Sequence, residues 1–506
     1  MSPICSCRPE TFSLVEWNSS LTEYNSQFFE KDPQHSLKLE ISSYSEFLRF
    51  CTPETAPLKY AATQNNLGIA YGNLAIHQDP ARNMGRAIQA FAEALRFRTP
   101  QTVPLDYAMT QNNLGIAYGN LAAHQDPAVN LDRAVQAHIE ALRFYNPETT
   151  PLEYAATQNN LGIAFRNLAT HQDPARNLDQ ATQAFAEALR FFTPKTTPLE
   201  YAATQNNLGI AYRNLATHQD PAGNLDRAVH AYTEALRFYT PETAPLYYAA
   251  TQNNLGIAYG NLAAHRDPAE NLGQAVQAYT ETLRFYTPQT APLEYAATQN
   301  NLGIAYRNLA AYQDPAGNLD RAVQAYIEAL RFRTPETVPL DYAMTQNNLG
   351  IAYGNLATHR GPVGNLGRAV HAYTEALRFY TPQTAPLDYA ITQNNLGIAY
   401  RDLADHQDPV ENLNRAIQTF AEALRFRTPE AVPLDYAMTQ NNLGIAYGSL
   451  AAHRDPAWNL GRAIQAFTDA LRFYTPETAP RYWEIAFKNL KKAQLKAKEL
   501  ECKEDA

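Results

Sequence analysis

The stretch Gln64-Asn65-Asn66-Leu67-Gly68-Ile69-Ala70-Tyr71 recurs at Gln111, Gln158, Gln205, Gln252, Gln299, Gln346, Gln393 and Gln440. The interval is always 47 residues, and one copy alone deviates inside these positions, with Phe165 for the tyrosine. A fixed period of roughly 20–50 residues means stacked supersecondary units, as in a solenoid, propeller or array. The repeat therefore sets the fold class.

Working outward, one period subtracted from Asp79-Pro80 lands on Asp32-Pro33. The same step takes Glu93, Leu95, Arg96 and Phe97 to Glu46, Leu48, Arg49 and Phe50. Residues 13–59 are thus expected to form a divergent N-terminal capping unit behind a tail at 1–12. Nine close copies fill 60–482, starting at Tyr60, Tyr107, Tyr154, Tyr201, Tyr248, Tyr295, Tyr342, Tyr389 and Tyr436. In 483–506, Lys488, Lys491, Lys492, Lys496 and Lys498 surround Trp483, Phe487 and Leu490, which reads as a capping helix with one apolar stripe. Terminal units must differ, because one of their faces meets water.

Proline punctuates each unit. Apart from Pro3 and Pro9, the prolines fall on ladders typified by Pro53, Pro57 and Pro80. Proline suits a first helical turn and breaks a helix interior, so two helices per unit are expected. Helix A should run from Pro57 to Ala75, with Tyr60, Leu67, Tyr71 and Leu74 inward. Helix B should run from about Asn83 to Phe97, with Asn83 as N-cap and Ile88, Phe91 and Leu95 inward, or start three residues earlier at Asp79-Pro80. No stretch alternates with period two. The chain is expected to be all-α.

The 506 residues carry a formal charge of -9, which argues against a phosphate-tracking surface and so against nucleic acid. Mean hydropathy is -0.43, and no run approaches the roughly 18 apolar residues of a membrane span. Cys5, Cys7, Cys51 and Cys502 lie outside the repeated core, and no secretory signal is visible at the N-terminus. A cytoplasmic location is expected.

Leu67-Gly68, Tyr71, Ala87, Phe91, Ala94 and Pro100 reproduce the tetratricopeptide repeat signature in order. The chain resembles a long-period member of that family, and Thr63-Gln64-Asn65-Asn66-Leu67 resembles its kinesin light chain branch. The long period is also similar to bacterial arrays found beside caspase-like CHAT peptidase domains. Two departures stand out: Gln64 replaces the family's helix A tryptophan, and no effector domain follows. The resemblance implies a right-handed superhelical solenoid of antiparallel helix pairs with a concave groove for extended peptides. It further implies that an asparagine at the Asn66 position bonds the ligand backbone.

The helix A face opposite the core carries Ala62, Asn65, Asn66, Ile69, Gly72 and Asn73. A side-chain amide offers donor and acceptor together, so it satisfies a peptide unit without adding charge. Candidate peptide-binding residues are therefore Asn66, Asn113, Asn160, Asn207, Asn254, Asn301, Asn348, Asn395 and Asn442. The other reading of these asparagines is a structural ladder between adjacent A helices. The Gly72 position is arginine at Arg166, Arg213, Arg307 and Arg401, which adds four candidates for an acidic side chain, a phosphate or a free C-terminus. A solvated or interhelix role for these arginines is the other reading.

His77 and its equivalents recur at the repeat pitch of about 10 Å, too far apart for donors that must sit about 2 Å from one metal. No metal, cofactor or catalytic motif is found. The expected function is a non-enzymatic scaffold that binds a peptide or extended protein segment. Its rivals are a regulatory or sensor subunit of a separately encoded effector, such as a caspase-like peptidase, and a passive spacer.

Overall fold

The computed structural model describes residues 32–504, without the side chains of 502–504. The tail expected at 1–12 and the first part of the capping unit lie outside the described residues. The chain divides into two compact units, Met1–Thr243 and Ala244–Ala506. In the first, α1 (Pro33–Phe47) precedes four helix pairs: α2 (Pro57–Ala75) with α3 (Pro80–Leu95), α4 (Pro104–Leu121) with α5 (Pro127–Leu142), α6 (Pro151–Leu168) with α7 (Pro174–Ala188), and α8 (Pro198–Leu215) with α9 (Pro221–Ala235). In the second, the pairs are α10 (Pro245–Leu262) with α11 (Pro268–Thr282), α12 (Pro292–Leu309) with α13 (Pro315–Leu330), α14 (Pro339–Ala357) with α15 (Pro362–Ala376), α16 (Pro386–Ala404) with α17 (Pro409–Ala423), and α18 (Pro433–Leu450) with α19 (Pro456–Leu471). A last helix, α20 (Pro480–Glu504), packs on α19. Within each unit a B helix packs against the A helix of its own repeat and against the next, and successive A helices also touch.

Proline starts every one of these helices, where its missing N–H costs nothing and its fixed φ suits the first turn. Before helix B, Asp79 takes a left-handed φ of 44°, and seven further aspartates repeat it. Gly361 fills the same place in the one repeat without the aspartate, at φ 53°. The turn is fastened by Asn83, whose Nδ2 donates to the Gln78 carbonyl at 2.6 Å. Its equivalents do the same, from Asn130 at 2.8 Å to Asn459 at 2.6 Å. Helix B therefore begins at Pro80, and Asn83 is a buried donor reaching back across the loop, not the N-cap. The earlier of the two expected starts holds.

Small residues set the distance between helices. Ala61, Ala87 and Ala94 are fully buried, and a Cβ on Gly68 would stand 2.6 Å from the Phe91 ring. Leu67 and Leu74 are buried as expected, while Tyr60 and Tyr71 are half-buried. Tyr60 meets Phe97 edge to face at 5.6 Å. Its hydroxyl donates to Glu93 at 3.2 Å and accepts from Gln64 at 3.0 Å. Gln64, standing in place of a tryptophan, thus joins a small polar cluster that Arg96 closes with its 2.9 Å ion pair to Glu93. That exposed i,i+3 pair is worth a few tenths of a kcal/mol.

Two further features shape the packing. Arg98, in the linker, is buried and bonds Thr110 at 3.0 Å, as Arg333 and Arg427 bond Thr345 and Thr439. Burial holds its guanidinium below the usual arginine range. In α20 the packed stripe runs through Trp483, Ala486, Leu490 and Ala493. Phe487 is 40% exposed, stacks on Trp483 at 5.2 Å and lies under Lys491, so it is not part of that stripe.

A paired glycine test checks this packing. Gly162→Ala places a methyl against the buried Phe185 ring and should cost about 1–3 kcal/mol, as overpacking does. Gly119 has nothing within 4 Å of a built Cβ, so Gly119→Ala should be neutral or stabilise by up to about 1 kcal/mol. Urea midpoints followed by circular dichroism measure both. Equal effects would contradict the close approach at Gly162.

Candidate functional site

The exposed edge of each A helix is built from amides and one large apolar residue. In α2, Ile69 and Asn73 are exposed, Asn66 is half-buried and Asn65 is buried. Asn65 is therefore interior, not a groove residue. Its partner explains why. Asn113 donates through Nδ2 to Asn65 Oδ1 at 3.3 Å, 48 residues upstream. Asn160 bonds Asn112 at 3.2 Å and Asn207 bonds Asn159 at 3.3 Å in the same way.

The second unit repeats the pattern. Asn348 bonds Asn300, Asn395 bonds Asn347 and Asn442 bonds Asn394, each at 3.2 Å. Asn66 itself accepts from Asn65 at 3.5 Å, and Asn254 also has a partner. Six of the nine candidate asparagines, Asn113, Asn160, Asn207, Asn348, Asn395 and Asn442, thus tie A helices together through Nδ2. What remains for a ligand is chiefly Oδ1.

The arginines extend this network across repeats. Arg166 Nη1 donates to Asn207 Oδ1 at 3.2 Å and Nη2 to Asn167 at 3.4 Å. Arg307 reaches Asn348 and Asn308, both at 3.5 Å. Arg401 pairs with Asp402 at 2.7 Å and reaches Asn442 at 3.5 Å. Arg213 is also engaged. Burial holds the Arg166 guanidinium below its usual range, and the like charge of Arg213 adds to this. Arg166 lies against Asn207 because its side chain reaches forward to the next repeat. The arginines are half-buried bridges, not free charges lining an open face.

Where glycine stands in that column, space opens. Gly72, Gly119, Gly260, Gly354 and Gly448 all have nothing within 4 Å of a built Cβ. Gly72 lines a cavity of about 220 Å³ with Ile69, Asn73, Phe91, Asn113, Ile116 and Asn120. Gly119 lines the neighbouring one, about 160 Å³, with Ile116, Asn120, His138, Asn160, Ile163 and Asn167. Gly448 lines a third of about 210 Å³, with Phe467, Asn489, Lys492 and Lys496. The first two share Ile116 and Asn120, so they sit side by side on one face. Of the candidate residues, Asn113 and Asn160 are brought into these cavities.

His138 is a site residue missed in the sequence reading. It occupies the column of Phe91, Phe185 and Tyr232, and a histidine there was the visible signal. The ring is 2% exposed, with Nδ1 3.1 Å from Asn112 Oδ1. Burial pushes it down to about 4 from 6.5.

No family model matches the chain, and no curated protein matches it. Among solved structures, BtubC (BKLC) from P. vanneervenii is 18% identical, covering 51% of this chain and 91% of its own, with a TM-score of 0.37. The apo form of RapI is 13% identical over 78% of this chain and 98% of its own, at 0.44. A signal transduction ATPase with a tetratricopeptide repeat sensor from Pyrococcus horikoshii is 15% identical over 93% and 73%, at 0.36. Such likeness is too low to inform the site. The decisive observation is internal: in each close copy the signature glycine receives a helix B ring, a phenylalanine or tyrosine in eight copies and His138 in the ninth. The fold is a tetratricopeptide-like array.

Along this array the His77 column lies exposed beyond the ends of helix A, and the described residues hold no cluster of three or more metal-binding side chains. No described helix is long and apolar enough to cross a membrane. Cys51 is free and buried.

His138 gives a pH test. Its folded value lies below its ordinary one, so the unfolded chain binds the proton more readily. Its contribution is complete above about pH 6.5 and is lost as pH falls towards 4, by roughly 3 kcal/mol in all. The urea midpoint of the wild type should therefore drop more between pH 7 and pH 4.5 than that of His138→Phe. Parallel drops would show that the ring titrates normally.

Proposed function

We propose that the array is a non-enzymatic scaffold that holds an extended, locally uncharged protein segment on its A-helix face, centred on the Gly72 and Gly119 cavities. The observation that carries this reading is the pair of adjacent cavities, each with an apolar floor and an asparagine rim. Neighbouring helices lie about 8–10 Å apart and an extended chain advances about 3.3 Å per residue, so one segment can place successive side chains in both. Asn113 and Asn160 keep Oδ1 for its backbone N–H groups, while the exposed Asn120 adds a complete amide and the half-buried Asn167, whose Oδ1 accepts from Arg166, adds its Nδ2.

The arginine repeats serve the array differently. Arg166 and its equivalents are committed to Asn207, Asn348 and Asn442, so the first anchoring comes from the cavities. A carboxylate or phosphate on the partner would compete with Asn207 for Arg166 and add a second, weaker anchor.

Selection from a random peptide display pool against the full chain tests the reading. Affinity of the selected peptides should fall at least tenfold in the Gly72→Arg/Gly119→Arg variant, which carries residues that other repeats already use. Helicity should stay unchanged. If that variant binds normally while Arg166→Gly/Arg213→Gly loses affinity and salt dependence, the site lies at the arginines instead.

A further inference from the structure

The two neighbouring cavities differ in one wall. Phe91 closes the first and His138 the second. His138 fits because its neighbour in α4 is Gly115, where a Cβ would lie 2.6 Å from the ring. Its Nδ1 faces Asn112 Oδ1 at 3.1 Å, and that oxygen already accepts from Asn160 Nδ2 at 3.2 Å. An oxygen cannot donate, so Nδ1 carries the ring proton and Nε2 is a bare acceptor. Among the described residues this is the one hydrogen bond His138 makes, although the ring is 2% exposed. The same ring lines the cavity.

We infer that the His138 cavity is a subsite for a neutral side chain tipped by a hydroxyl as hydrogen-bond donor, with Nε2 as its acceptor. The inference rests on the segment-binding reading of this face and specifies what the segment must carry. A purely apolar side chain would leave Nε2 dry and unpaired. A carboxylate would face a lone pair without a countercharge, and burial keeps the ring from supplying one by protonation. A cation finds no carboxylate, since no aspartate or glutamate lines the cavity. A volume of about 160 Å³ suits one six-membered ring, as an engineered cavity of about 150 Å³ takes benzene. The Phe91 cavity, with no such acceptor, takes an apolar side chain. The segment should thus pair an apolar residue with a donor-tipped one, roughly two to four positions apart.

Phenol and toluene are the probes, being nearly the same size with and without the donor. Binding to the full chain is followed by the ¹⁵N shift of His138 Nε2 and by calorimetry. Phenol should bind at least tenfold more tightly than toluene. The preference should vanish in His138→Phe, and Gly119→Arg should abolish the His138 Nε2 shift that either probe causes. Each substitution installs a residue that another repeat carries, and the urea midpoint at pH 7 checks the fold. Equal affinities in the wild type, or a preference that survives His138→Phe, overturn the inference. Peptides from the display pool separate the two levels of argument. Selected peptides that bind His138→Phe as well as wild type sink the subsite and leave the groove standing. A pool that yields no binder sinks the groove reading, and with it the segment as the donor's source.

Discussion

Everything in this chain depends on one close approach, that of a helix A glycine to a helix B ring. A Cβ at Gly68 or any of its equivalents would sit 2.6–2.7 Å from the ring of its own repeat. No other residue permits the contact without displacement, so the glycine sets the separation of A from B. The fully buried alanines at Ala61, Ala87 and Ala94 then fill the space this separation leaves. Once one pair is fixed, its outer surface is the template for the next, and the asparagine ladder locks the register between A helices. Stability is therefore spread over many equal interfaces and not gathered in one centre.

The same economy governs the polar groups. Most interior amide oxygens in the ladder accept from an amide of the repeat that follows, as Asn65 does from Asn113 and Asn394 from Asn442, while Asn253 Oδ1 is buried without a partner. Arginines enter where that ladder has spare oxygens: Arg166 reaches Asn207, Arg307 reaches Asn348 and Arg401 reaches Asn442. Long cations here act as struts. The glycine repeats lack the strut, and the space it would fill is left open.

Much of the architecture was legible in the residues. The Pro57–Ala75 helix was bounded correctly because proline marks its start and the core spacing runs to its end. Helix B was blurred, since Asn83 looks like a cap in sequence while its amide bonds a carbonyl five residues back. Left-handed Asp79 is what lets Pro80 start the helix, and aspartate does not announce that conformation. The amide face was foreseen as polar, yet the partner of Asn113, 48 residues upstream, depends on the distance between A helices. Likewise the forward reach of Arg166 is a matter of side-chain direction, which spacing does not encode. His138 was readable as an odd member of its column; its Asn112 partner was not.

The glycine-or-arginine column gives the array a form of addressing. One codon decides whether a given interval is a recess or a buttress, and neither choice disturbs the glycine–ring contact that holds the repeat together. Duplication supplies interchangeable intervals, and single substitutions then mark which of them are occupied. A chain built this way can move its recesses from one repeat to another, or multiply them, while its scaffold stays the same.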